Sequence, residues 1–240
     1  MHKLLDTKAK IWLIFFSMAL PYLVLALAYE RIRGTEFGGV GSWFVVGSWT
    51  VMVVGLVASI LSSERVCSVV VRDGFLKRCG VPAFRGRYSG ELRSNYSRLD
   101  ALRNAARSAE LPRLDADQPN FVDSIELLSA RADLEVRASL WRVRVLLTTF
   151  PAQDGHPGIV SRSSVSSLER ARDEDQAIVI SYLYSAVNKG QPRGNDQQQH
   201  QGAACLTVRQ SGEAIGLYWT ARNWQKGMNT AGEMRFLKGA

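Results

Sequence analysis

Histidine and cysteine are scarce in this 240-residue chain, with three of each. His2, His156 and His200 lie far apart, the last two in polar stretches that read as loops, and none stands at the helical spacing that presents paired metal ligands. A metal centre or a hydrolase triad therefore has little support. Cys67, Cys79 and Cys205 form no CxxC pair, which argues against a zinc site and a disulfide framework. GxGxxG, Walker-type and HExxH motifs are also absent. Without a catalytic constellation, the expectation is a non-enzymatic protein that needs no cofactor.

Charge is missing from two long stretches. Residues 11–29, IWLIFFSMALPYLVLALAY, carry none; as a helix they would extend roughly 28 Å, close to the hydrocarbon thickness of a bilayer. Residues 38–63 form a second uncharged run. These predict two transmembrane helices, at about 11–29 and 42–62, rather than a secretory signal, because a second span follows at once. Gly47 and Gly55, with Ser48 and Ser59, form a small-residue pattern of the kind that packs helices together. Lys3, Lys8 and Lys10 precede the first span, and Arg65, Arg72, Lys77, Arg78, Arg85 and Arg87 follow the second. The positive-inside tendency then puts both termini in the cytoplasm.

The net charge is +8, and beyond residue 63 there remain 25 basic and 19 acidic residues, a net +6. Beside a membrane, anionic lipid headgroups account for such an excess at least as well as a nucleic acid does. No DNA or RNA polymer is expected as a partner.

Residues 64–83 read as a linker broken by Gly74, Gly80 and Pro82, and 84–240 as a cytoplasmic all-β domain. Strand-like alternation recurs over 84–94, 134–150, 158–171, 177–187, 202–211, 213–222 and 232–239. Turn residues separate the runs: Gly155 and Pro157, Ser211 and Gly212, and KGMNTAG at 226–232. Short, regularly spaced strands suggest an antiparallel barrel or sandwich, with the barrel favoured. Residues 96–133 show helical periodicity, first in LDALRNAARSAEL and again in FVDSIELLSAR, and predict a helical insertion. Residues 188–201 form a polar, glutamine-rich loop expected to be mobile.

The stretch GEAIGLYWTAR, residues 212–222, places Gly216, Tyr218, Thr220 and Arg222 on one face of a strand and Ile215, Leu217 and Trp219 on the other. With Arg87, Tyr88, Tyr182 and Tyr184 it supplies aromatic faces for stacking and guanidinium forks for phosphate oxygens. The alternative is a barrel wall of tyrosines with arginines on a solvated surface. SRSSVSS at 161–167 is a hydroxyl-lined pocket wall or an edge strand.

In order, two spans, FRGRYSGELRSNY (84–96), SLWRVRVLLTTF (139–150), SRSSVSSLERA (161–171), IVISYLYSA (178–186) and an H-x-G…L…G-x-Y-x-T-x-R ending resemble a known family. The ending is carried by His200, Gly202, Leu206, Gly216, Tyr218, Thr220 and Arg222. The resemblance is to the two-transmembrane β-barrel effectors of CBASS, the cyclic-oligonucleotide-based anti-phage signalling systems of bacteria. It covers nearly the whole chain. It implies two transmembrane helices before a small, about eight-stranded, lipocalin-like antiparallel barrel that senses a cyclic dinucleotide, the activating ligand. Binding would drive homo-oligomerisation, disruption of inner-membrane lipids and death of the infected cell. Tyr218, Thr220 and Arg222 follow from the motif as candidate ligand residues. Tyr184, Tyr182, Arg87 and His200 are added on chemistry: arginines for phosphates, tyrosines for bases, histidine for a hydrogen bond. Seven strands are visible, so an eighth must come from the insertion, from division of 134–150, or from around 120–128. Two rival functions stand: a membrane-tethered barrel that binds a lipid or other apolar molecule, and a scaffold without a ligand.

Overall fold

The computed structural model describes residues 7–33, 40–70, 83–107, 124–139, 142–151, 158–171, 177–190, 197–222, 224–227 and 229–239. The chain divides into two compact units, Met1–Arg72 with Ala138–Arg142, and Asp73–Arg137 with Val143–Ala240.

In the first unit, helix α1 runs over Thr7–Arg33 and α2 over Val40–Ser62, followed by a short helix α3, Glu64–Val70. α2 is rich in valine, yet it is helical. An uncharged apolar segment satisfies its backbone polar groups most completely by bonding within itself. Its hydroxyls turn inward too: Ser48 Oγ donates to Phe44 O, Thr50 Oγ1 to Val46 O and Ser62 Oγ to Ala58 O, each at 2.8 Å. Tyr22 of α1 stacks on Trp43 of α2 with ring centroids 5.9 Å apart. Ser42, Val46 and Thr50, one turn apart, are buried. The small-residue pattern lies elsewhere: a Cβ placed on Gly47 or Gly55 would meet nothing within 4 Å. Among the described residues, those glycines therefore make no α1–α2 contact. Over Ser42–Ile60, α2 is long and apolar enough to cross a membrane by length and composition, with mean hydropathy 2.0. Among the described residues it is the one helix that meets that criterion. α1 carries the uncharged 11–29 run as a continuous helix of 27 residues.

The second unit is a closed antiparallel barrel of eight strands in sequence order: β1 Gly86–Ser94, β2 Leu128–Ala138, β3 Val143–Thr149, β4 Ile159–Arg170, β5 Ile178–Asn188, β6 Gln199–Val208, β7 Glu213–Thr220 and β8 Thr230–Lys238. β1 pairs with both β2 and β8, Tyr88 facing Leu134 on one side and Lys238 on the other. The eighth strand arises by division of the 134–150 run. β2 ends at Ala138 and β3 begins at Val143, with Ser139 N–H donating to Arg142 O at 2.8 Å across the turn.

The insertion is partly corrected. Helix α4, Tyr96–Arg107, matches the first helical stretch. Residues 128–131, read as the end of a second helical stretch, and 132–133, the end of the predicted insertion, belong to β2. Pairing along the whole of β1, from Ser94↔Leu128 to Gly86↔Val136, outweighs the local helical pattern. Residues 108–123, the break at Gly74–Pro82 and the turn at Gly155–Pro157 lie outside the described residues. The predicted loop at 188–201 is shorter than expected: Asn188 ends β5, and 199–201 open β6.

The serine-rich strand acts mainly as a seam. β3 and β4 pair directly only over Leu146–Thr148 with Val160–Arg162, and β4 has an irregularity between Ser163 and Val165. Where the ladder lapses, side chains replace it: Ser163 Oγ accepts from Val145 N–H at 2.9 Å, and Ser166 Oγ donates to Val143 O. Ser161 faces inward and is buried.

Ser163→Ala leaves the Val145 amide without its acceptor and should destabilise the barrel by about 1–3 kcal/mol. Ser164→Ala, at an exposed hydroxyl bonded to Leu183 O at 3.3 Å, should change stability by less than about 0.5 kcal/mol. Urea unfolding followed by tryptophan fluorescence checks both.

Candidate functional site

Alternation along β5 shows how the barrel interior is graded. Its inward positions are Ile178, Ile180, Tyr182, Tyr184, Ala186 and Asn188, all buried. The aliphatic end meets Tyr88, Leu134, Leu206, Val208 and Phe236, each 0–1% exposed, and is solidly packed. There the Tyr88 hydroxyl is used up, donating to Phe84 O at 2.8 Å. The polar end opens into a cavity of about 100 Å³.

Six of the seven residues singled out from the sequence line this cavity: Tyr182, Tyr184, His200, Tyr218, Thr220 and Arg222. β7 brings in Tyr218 and Thr220, and Arg222 follows two residues past its end. Tyr218 and Thr220 are 8% exposed, whereas Leu217 and Trp219 between them are 50% and 49% exposed. The face bearing Tyr218 and Thr220 is therefore the inner one, and the apolar side chains of Leu217 and Trp219 lie outside. Arg87 is placed differently. Tyr88 fills the core, so its neighbour must point outward; the Arg87 side chain is 86% exposed, 4.0 Å from Glu135. Arg87 does not line the cavity, and Tyr88 belongs to the closed end.

Glycine explains how two of the tyrosines fit. Tyr184 faces Gly202 across β5–β6, and Tyr218 faces Gly232 across β7–β8. A Cβ at Gly202 would sit 2.4 Å from the Tyr184 ring and hydroxyl, and one at Gly232 would sit 2.8 Å from Tyr218 Cε1. The missing side chains leave room for the rings to lie across the neighbouring strand. Tyr184 Oη then donates to Trp219 O at 3.1 Å, and its ring lies 5.9 Å from that of Tyr182, tilted by 49°. Burial pushes the hydroxyl pKa of Tyr182, Tyr184 and Tyr218 upward, so all three remain neutral donors. Thr220 is occupied structurally: its Oγ1 lies 2.5 Å from Thr230 Oγ1 and accepts from Thr230 N–H at 3.3 Å.

His200 is corrected from loop to strand. It pairs with Ala186 across β5–β6, points inward and is 4% exposed. Arg222 Nε–H donates to His200 Nε2 at 3.5 Å. Burial first, and the Arg222 charge second, lower the imidazole pKa to about 4. The ring is therefore neutral at physiological pH. With Nε2 accepting, the proton resides on Nδ1; that atom is buried without a hydrogen-bond partner among the described residues.

Sequence reasoning missed Tyr96, Phe150, Asn188 and Thr230, which also line the cavity, whereas Ser161 lines it as the pocket-wall reading of 161–167 allowed. Asn188 was accessible by extending the Tyr182–Tyr184–Ala186 alternation one step. Tyr96 and Phe150 lie just beyond strand ends, where alternation gives no signal. No cluster of metal-ligating residues occurs among the described residues.

Fold and cavity together define a small closed β-barrel with a tyrosine-lined, cationic opening at one end. The chain is similar to CD-NTase-associated protein 15 of Escherichia albertii, 25% identical over 166 residues, which are 68% of this chain and 66% of that protein. The match thus spans slightly less than two thirds of the relative's length. No family model and no solved structure matches the chain.

The histidine gives a pH signature. Its folded pKa of about 4 lies below the ordinary 6.5, so the unfolded chain takes up a proton first as pH falls. Stability should be full above about pH 6.5 and decline toward pH 4. Over that window, denaturation midpoints of His200→Phe should fall less steeply with pH than those of the natural protein.

Proposed function

We propose that this protein is a membrane-anchored, non-enzymatic effector of CBASS immunity, whose barrel senses a cyclic dinucleotide. The observation that carries the reading is the convergence of Tyr182, Tyr184, Tyr218, His200 and Arg222 on one cavity. The tyrosines provide stacking faces and neutral donors; Arg222 provides the charge for a phosphate oxygen. The similarity to a CD-NTase-associated protein supports the same setting.

α1 and α2 serve as a two-span anchor in the bacterial inner membrane, with both termini and the barrel on the cytoplasmic side. The ligand binds an assembled form of the barrels more tightly than the separate form. It therefore shifts the population toward a homo-oligomer and brings anchors that associate weakly to high local concentration, disrupting the lipid bilayer. Gly47 and Gly55 leave open space on α2, a surface suited to close approach of another helix within that assembly.

A second reading has one observation in its favour. Leu92, Leu128, Leu147, Ile159 and Met234 form an apolar wall of the same cavity, as a barrel for a lipid or other apolar ligand would require.

Thermal unfolding of the full chain in detergent micelles, with a panel of cyclic di- and trinucleotides, separates the two. One nucleotide at a hundredfold excess over its Kd should raise the midpoint by on the order of 5–10 °C. Arg222→Ala should remove the shift while leaving the unliganded midpoint nearly unchanged. A shift with fatty acids or phospholipids and none with any nucleotide would establish the apolar-ligand reading instead.

A further inference from the structure

The cavity's size and the depths of its polar groups restrict how a nucleotide enters. Pockets that enclose a whole drug-sized ligand occupy about 300–1,000 Å³. The cavity here is about 100 Å³, so it has space for a single ring rather than for a cyclic dinucleotide. Its donors fall at two levels. His200 faces Ala186 across β5–β6, and Tyr182 lies four residues before Ala186 on β5. Four residues extend about 13 Å along a strand and, at a tilt near 40°, about 10 Å along the barrel axis. That separation is comparable with the reach of a nucleotide from base edge to phosphate.

The groups at each level differ in chemistry. The deep level is aromatic and uncharged, with the Tyr182 ring beside that of Tyr184. The rim holds a cation, Arg222, next to an imidazole whose buried Nδ1–H has no acceptor among the described residues. An unmet buried donor is costly until an acceptor arrives. A phosphate oxygen is the acceptor that suits it, because the neighbouring guanidinium neutralises its charge. Arg87, on the outer surface, cannot reach a second phosphate at this opening.

Resting on the nucleotide reading above, we propose that the lumen recognises one nucleotide unit of its ligand base-first. The base enters between the tyrosines and accepts from Tyr182 Oη–H, and the phosphate accepts from His200 Nδ1–H beside Arg222. The other unit stays outside the rim. A mononucleotide therefore contains the whole recognition element.

Dissociation constants of uridine, adenosine and their 5′-monophosphates for the full chain in micelles test this, with Tyr182→Phe, His200→Leu and His200→Asn as variants. The phosphate should tighten binding at least tenfold, the scale of a charge-assisted hydrogen bond. His200→Leu should cancel that gain and leave the nucleosides within twofold. His200→Asn, which keeps a donor at the Nδ1 position, should restore most of it. Tyr182→Phe should weaken nucleosides and monophosphates by the same factor, about threefold to tenfold. The ¹⁵N spectrum should show the Nδ1–H tautomer of His200 before binding and a shifted Nδ1 afterwards. Equal losses for nucleosides and monophosphates in His200→Leu, or no gain from the phosphate, would overturn the base-first arrangement. If cyclic dinucleotides stabilise the chain and no mononucleotide binds, this inference fails while cyclic-dinucleotide sensing stands. If neither class binds, both fail.

Discussion

Closure of the ladder between β1 and β8 is the constraint on which the barrel depends. Without it, β1 and β8 would be edge strands, and no residue would be fixed as interior or exterior. With the register Tyr88↔Lys238 through Ser94↔Gly232 in place, each strand has one inner face and one outer face. Every later property of the cavity follows from that assignment, because a slip of one residue would turn each side chain to the opposite face.

The closed ring is also divided along its axis. At one end, Phe84, Tyr88, Ile178, Leu206 and Phe236 fill the interior and are wholly buried. At the other, smaller or polar inward residues, among them Ala130, Ser161, Ala186 and Thr220, leave the space that the tyrosines partly occupy. The packed end holds the strands together, so the open end is able to carry groups that add little to stability. A buried imidazole nitrogen without a hydrogen-bond partner among the described residues is such a group, and it stands in the wall of the open half.

Two features at the open end act through absent atoms. Gly202 and Gly232 contribute no side chain, and that lets Tyr184 and Tyr218 lie across adjacent strands. Gly202 of the H-x-G motif and Gly232 of TAGEMRF are therefore part of the architecture of the cavity rather than turn residues. The serines of β4 are similar in kind. They look like pocket hydroxyls, yet Ser163 and Ser166 bond the backbone of β3 where the two strands diverge.

Much of this was legible in the residues themselves. Uncharged runs marked α1 and α2, helical periodicity marked α4, alternation marked seven of the eight strands, and the spacing of Tyr218, Thr220 and Arg222 put them on one face. Those are local properties, set by the two-residue period of a strand and by hydrophobicity along the chain. Tertiary structure decided the rest. Which parity of β7 faces inward was open until the barrel closed; Arg87 went outside because Tyr88 took the core; 128–133 became strand because β1 offered a full-length partner. His200, read as a loop residue, entered the cavity by pairing with Ala186. Each of these depends on contacts between residues distant in sequence, and no local pattern encodes them.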